Sequence, residues 1–184
     1  MENNILPQKD LELHEAFAII LSRGNFTEYI SDIAELVYKE NLNRENLRIT
    51  LNEYGIKNIN DLKEEILDLL IIYIKLILDD HVITEKERKN VALLKKLFKI
   101  KEGDFLKYKY PEIEEIIHAQ FKRLYADNKI TIEEAIYKVE FQGLFDLSYD
   151  QFDKMKEIEI QRALEEGAKI TDLDTVRYPK VLNS

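Results

Sequence analysis

The chain has 184 residues, of which 45% are hydrophobic and 34% are charged. These proportions are typical of a globular domain with solvated helix faces, and they argue against disorder along the whole chain. The formal net charge of -9 disfavours a dedicated nucleic-acid binder, because neutralising phosphates requires a basic surface. The lack of cysteine excludes disulfides, thiolate nucleophiles and cysteine-bound zinc.

The composition favours helices. Five Gly and three Pro are scattered among many Leu, Ile, Glu and Lys residues, which is typical of long helices rather than of a β fold with many turns. The most apolar stretch, 66–78, is interrupted by Asp68 and Lys75, so it predicts the central helix of a bundle and not a membrane span. The start, MENNILPQKD, has no basic residues followed by an apolar stretch. We therefore expect that the protein has no signal peptide, is not an integral membrane protein and is located in the cytoplasm.

The first part of the chain reads as three short helices, at about 10–22, 26–40 and 43–54. Gly24 and Gly55 are placed to end the first and the third, and Asn43 is a plausible N-cap of the third. Asn60 is predicted to cap the central helix. Because no linker rich in Pro, Gly or Ser separates this part, we expect residues 1–58 to form a helical extension packed on the core.

The rest of the chain repeats itself at an offset of 47 residues, where DDHVITEKE (79–87) lies over ADNKITIEE (126–134). The identical pairs are Asp80/Asp127, Ile83/Ile130, Thr84/Thr131 and Glu87/Glu134. Apolar positions before and after the string also coincide, which predicts an internal duplication of a three-helix unit. The expected fold is a compact all-α bundle, with the duplicated domain at 59–167 and a non-helical tail at 168–184.

Helix capping is the first interpretation of the repeated string. The capping-box spacing, a hydroxyl followed three residues later by Glu or Gln, occurs for Thr84 with Glu87, Thr131 with Glu134, and Ser148 with Gln151. In a capping box the two side chains satisfy exposed backbone amides at the start of a helix. These pairs therefore predict helix starts at matched places in the two copies.

Cation binding is the second interpretation, because the two turns carry hard oxygen ligands. The candidate ligands are Asp79, Asp80, Glu87, Asp127 and Glu134. An EF-hand is rejected, since no Gly occupies the bend and its first position would fall on Leu76 or Arg123. A looser site for calcium or magnesium stays open if the two turns face each other, with capping as the alternative role of Glu87 and Glu134.

The duplicated helices with DDHVITEKE, ADNKITIEE and a closing Leu-Phe resemble the TerB-like domain of tellurite-resistance and stress-defence systems. The resemblance covers about 60–167. It implies a helical bundle with acidic, metal-associated patches that acts without catalysis in a bacterial stress or phage-defence assembly. His81 and Asn128 depart from the more typical acid-and-glycine turn, and residues 1–58 match no motif.

No catalytic motif is present: the three His are scattered, and no glycine-rich phosphate loop or nucleophile elbow occurs. We therefore expect a protein-interaction module, not an enzyme, whose partner is another component of the same defence or stress system. The alternative is an acidic immunity or inhibitor protein that blocks the basic active site of a toxin or nuclease. Neither hypothesis involves nucleic acid, and both are compatible with a homo-oligomer. The apolar residues of the tail fit two roles equally: a segment that packs back on its own bundle, or a peptide that docks on a partner.

Overall fold

The structure, a computed structural model, describes residues 11–80, 82–124 and 139–165. All regular elements within these ranges are helices and none is a strand, so the all-α prediction is confirmed. The chain divides into two compact units, Met1–Asp104 and Phe105–Ser184. The expected partition at 58/59 and 167/168 is a different one and stays a prediction.

The connections between helices that the structure describes are short. In chain order they are α1 (Leu13–Arg23), α2 (Glu28–Tyr38), α3 (Arg44–Glu53), a 3₁₀ turn (Ile59–Leu62), α4 (Lys63–Ile77), α5 (Glu85–Leu97), α6 (Asp104–Leu124), α7 (helical residues 139–144) and α8 (Tyr149–Glu165). Within the part of the chain that the structure describes, none of these helices combines the length and the apolar character needed to cross a bilayer.

Asparagine side chains start two of the early elements. Asn43 caps α3 as predicted, since its Oδ1 accepts hydrogen bonds from the amides of Glu45 and Asn46 at 3.0 and 2.9 Å. The prediction that Asn60 caps the central helix is wrong. The N-cap of α4 is Leu62, which makes no side-chain capping bond, and Asn58 instead caps the 3₁₀ turn that precedes α4, accepting from the Asn60 amide at 3.1 Å. This turn buries two apolar side chains, those of Ile59 and Leu62, before the α-helix begins.

Helix α4 is the centre of the first unit, as its apolar run predicts. The helices α1, α2 and α5 and the 3₁₀ turn all pack against it. Its buried side chains are Ile66, Leu67, Leu69, Leu70, Ile71, Tyr73, Ile74 and Ile77. Removing one such aliphatic side chain from water contributes about 2 kcal/mol, so α4 supplies a large part of the stability of this unit.

Helix α6 is interrupted near its start. Lys109 has non-helical dihedrals, φ -136° and ψ 32°, two residues before Pro111. Proline lacks the amide hydrogen of a regular helix, and its ring clashes with the carbonyl of the residue four positions earlier, so Pro111 does not fit in the interior of a continuous helix. The helix that resumes after Lys109 has Pro111 in its first turn, where a missing donor costs nothing.

The core of the second unit is aromatic. Phe141 contacts Phe145 and Phe152 with ring centroids 5.6 and 6.1 Å apart, and Phe105 packs edge-on against Phe145 at 5.4 Å. Phe121 lies 5.6 Å from Phe152. All five rings are buried, and together they join α6, α7 and α8.

The ends of α5 and α7 have the same backbone geometry at the offset of 47 residues. Lys99 and Asp146 both adopt a left-handed conformation, with φ 54° and 51°. The next amide in each case bonds to a carbonyl five residues back: Ile100 N to Lys95 O at 2.9 Å and Leu147 N to Gln142 O at 3.4 Å. This is the Schellman arrangement that ends many helices.

The following helix starts also correspond. The Lys101 amide donates to Asp104 Oδ2 at 2.9 Å, and 47 residues later the Ser148 amide donates to Gln151 Oε1, also at 2.9 Å. The Ser148–Gln151 capping prediction is thereby confirmed. The similarities agree with the predicted duplication, but its second acidic turn, within 125–138, lies outside the described residues. The duplication itself stays a prediction.

Candidate functional site

The acidic turn between α4 and α5 contains three of the predicted ligands. Asp79 and Asp80 are exposed at the end of α4. Asp80 Oδ1 accepts a hydrogen bond from the Val82 amide at 3.0 Å, which folds the chain locally into an Asx turn. Asp127 and Glu134, the predicted ligands of the second turn, lie outside the described residues.

Glu87 works as a helix cap. Its Oε2 accepts from the Thr84 amide at 2.8 Å and from Thr84 Oγ1 at 2.9 Å, while the Glu87 amide donates to Thr84 Oγ1 at 3.2 Å. Glu87 is buried, with 6% of its surface exposed. The capping box predicted for the first turn is therefore confirmed, and one of the two carboxylate oxygens of Glu87 is committed to it.

A cavity of about 10 Å³ borders this turn, lined by Asp80 and Glu87 together with Leu11, Ala16 and Tyr73 among others. That volume accommodates about one water molecule. Calcium takes six to eight oxygen ligands and magnesium six, more than two carboxylates supply. Over residues 11–80, 82–124 and 139–165, no group of three or more His, Asp or Glu side chains is arranged to hold a metal ion. The cation site stays a prediction.

A second polar cluster, which the sequence analysis missed, joins α2, α3 and α4. Tyr54 Oη donates to Asp32 Oδ2 at 2.5 Å, and Tyr29 Oη donates to Glu65 Oε1 at 3.3 Å. The two tyrosine rings meet edge-on with centroids 6.0 Å apart. The hydrogen-bonded partners are 22 and 36 residues apart, so no local spacing reveals them.

Carboxylates outnumber cations around this cluster, where Lys39 also interacts with Asp32. The hydrogen bond to Asp32 raises the pKa of Tyr54 to about 12, with further contributions from burial and from the charges of Asp32, Glu28 and Glu53. Glu28 and Glu53 are exposed, whereas Asp32 and Tyr54 are half-buried. We call the surface formed by Tyr29, Asp32 and Tyr54 with Glu28 and Glu53 the Tyr54 face.

An ion pair of structural importance fixes the turn after α5. Lys63 Nζ lies 2.9 Å from Asp104 Oδ2 and donates to the Lys99 carbonyl at 2.7 Å. Burial alone would raise the pKa of Asp104, but hydrogen bonds from the Lys101 amide and from Lys63 outweigh it and hold the pKa below its usual range. Both side chains are largely buried, at 11% and 15% exposure.

Each of the two described histidines, His14 and His118, lies near a charged side chain from another part of the chain. Arg162 Nη1 on α8 lies 2.9 Å from His118 Nδ1 on α6, and His14 Nδ1 lies 3.6 Å from Glu40 Oε1. His118 thus connects α6 with α8. His81 lies outside the described residues.

Comparison of the chain with protein-family models, with curated proteins and with solved structures found no match. The fold and the contacts define a helical protein with a carboxylate-rich surface. The TerB-like resemblance stays a prediction.

Proposed function

We propose that this protein is a non-catalytic interaction module that presents the Tyr54 face to a basic partner protein. The observation that supports this function best is the grouping of the carboxylates of Asp32, Glu28 and Glu53 around Tyr54; after the hydrogen bond to Asp32 and burial, their charges add to the rise in the pKa of Tyr54. A surface with one sign of charge attracts partners of the other sign and speeds their association.

The composition of the Tyr54 face suits protein recognition. Tyrosine offers a large apolar ring with a polar tip, and it is enriched where proteins bind one another. Two rings in edge-on contact are held by hydrogen bonds to Asp32 and Glu65, so little side-chain entropy is lost when a partner binds. The net charge of -9 adds long-range attraction for a basic protein.

The TerB-like resemblance supplies the biological setting of the proposal. It implies that the partner is another component of a bacterial stress or phage-defence system. It also implies a divalent cation at the acidic turns, with Asp79, Asp80 and Asp127 as the ligands that capping does not claim. Glu87 and Glu134 would then serve mainly to start helices.

The second candidate function is an acidic immunity or inhibitor protein. The observation in its favour is the same cluster of carboxylates around Tyr54, because an inhibitor of a nuclease or other toxin covers a basic active site with complementary charge. The two functions differ in the partner: a toxin loses its activity in the complex, whereas a component of a defence assembly does not.

The test is capture of partners from cells that produce the protein naturally. The bait proteins are the wild type, Glu28→Lys/Glu53→Lys on the Tyr54 face, and Glu114→Lys/Glu157→Lys as a control with the same change of charge on exposed parts of α6 and α8. We expect the wild type and the control to capture a basic protein, and Glu28→Lys/Glu53→Lys not to capture it. Capture that is the same with all three baits would contradict the proposal.

A further inference from the structure

The outer side of α4 carries an acidic stripe. Its exposed residues recur every three or four positions, which places them on one side of the helix: Glu64, Asp68, Ile72 and Lys75, with the exposed Asp79 following in the turn after α4. Three carboxylates stand against one lysine. Ile72 is 38% exposed among them, an aliphatic side chain in a charged surface.

The outer side of α5 carries a basic stripe. Its exposed residues are Glu85, Arg88, Lys89, Ala92, Leu93 and Lys96. Three cationic side chains stand against one carboxylate, which pairs with Lys89 at 2.7 Å. Leu93 is 47% exposed. In a chain with a net charge of -9, this helix is a local reversal of sign.

The two stripes are complementary in both charge and apolar content, and both belong to the first unit, in which α4 packs against α5. Within one molecule the stripes point outward from their helices, so they cannot cover each other. We propose that a second copy of the chain covers them, with α4 of each copy against α5 of the other. Such an interface is self-complementary, as in most homodimers.

A second copy fits these stripes better than a different partner does. One chain supplies both halves of the interface, whereas an unrelated acidic protein would match the α5 stripe only. Nucleic acid and anionic lipid are disfavoured as partners, because the chain is acidic overall and would repel them. The opposite charges determine which helix of one copy faces which helix of the other. Burial of Ile72 and Leu93 supplies most of the binding free energy, because exposed ion pairs alone contribute little. We expect the association to weaken with added salt.

Sedimentation velocity over a concentration series tests this association. We expect the wild type to shift from the monomer mass of 21.8 kDa to twice that mass. Lys89→Glu/Lys96→Glu and Glu64→Lys/Asp68→Lys should each raise the dissociation constant about tenfold or more, because each places like charges opposite one another. Arg23→Glu/Lys57→Glu, which changes exposed residues elsewhere in the unit, should leave it unchanged.

Mixing the two charge-reversed variants is the decisive measurement, because the reversed stripes become complementary again and the dimer should return. A wild type that stays monomeric, or a mixture that does not regain the dimer, overturns the proposal. If a charge-reversed variant fails to fold, as judged by circular dichroism, Leu93→Ser replaces it and should weaken the dimer. This inference does not depend on the Tyr54 face, so either proposal can fail alone.

Discussion

Thr84 and Glu87 cap each other at the start of α5 through three hydrogen bonds of 2.8 to 3.2 Å. The pair satisfies backbone amides that have no partner within the helix. A cation that took Glu87 Oε2 as a ligand would compete with this cap. Capping α5 is therefore the primary role of Glu87, and cation binding would be secondary to it.

Replacing Thr84 by Ala should lower the free energy of unfolding by about 1 kcal/mol, because the replacement removes the hydroxyl of the capping box. Thr27→Ala is the matched control, since Thr27 occupies the N-cap of α2 without a side-chain hydrogen bond to the helix. Its effect should stay within about 0.5 kcal/mol. Denaturant unfolding measures both, and equal losses would show that the capping box does not stabilise α5.

Calcium or magnesium at millimolar concentration should raise the midpoint of thermal unfolding, since a ligand that binds the folded state stabilises it by mass action. Asp80→Asn and Asp127→Asn should each reduce this gain by removing a charged oxygen ligand. Thr84→Ala serves as control: it lowers the starting midpoint and keeps the gain. An unchanged midpoint with either cation would exclude the metal site.

Tyr54 should titrate at about pH 12, well above its ordinary value of 10.0. The folded state holds this proton more tightly than the unfolded state, so the stabilisation is fully present below pH 10.0 and is lost as the pH rises towards about 12. Ultraviolet absorbance titration should show a late step that Tyr54→Phe removes and Tyr38→Phe retains. Asp32→Asn should move the step to lower pH, and a late step that survives Tyr54→Phe would contradict the assignment.

Lys63→Met should cost about 2 kcal/mol of stability, because the substitution removes hydrogen bonds to a largely buried carboxylate. Arg48→Met is the matched control: its ion pair with Glu45 is 64% and 63% exposed, and its loss should cost about 0.5 kcal/mol or less. Denaturant unfolding compares the two, and similar costs would show that Lys63 does not fix the turn.

The lowered pKa of Asp104 adds a pH dependence to this ion pair. The folded pKa lies below the ordinary 3.8, so the stabilisation is present above pH 3.8 and is lost as the pH falls through the folded value. In Asp104→Asn the free energy of unfolding should therefore lose this part of its dependence on pH.

Local features of this fold were predictable from sequence, because their partners are close in the chain. Asn43, Thr84 with Glu87, and Ser148 with Gln151 cap helices within three residues of themselves. Asn60 was assigned wrongly because it lies inside a 3₁₀ turn that Asn58 caps, and α4 begins only after Leu62. Spacing alone does not say which of two neighbouring asparagines caps.

Contacts between distant residues were not predictable in the same way. Asp32 and Tyr54 are 22 residues apart, and Lys63 and Asp104 are 41 apart. Each pair depends on how two helices pack, which a single sequence does not specify. The Tyr54 face was therefore missed.

The dissociation constant of the captured partner, measured by calorimetry, tests the central claim most directly. For Glu28→Lys/Glu53→Lys it should be about tenfold higher or more than for the wild type, and raised salt should narrow the difference. For Glu114→Lys/Glu157→Lys it should equal that of the wild type. Equal dissociation constants for all three proteins would show that the Tyr54 face is not the binding surface.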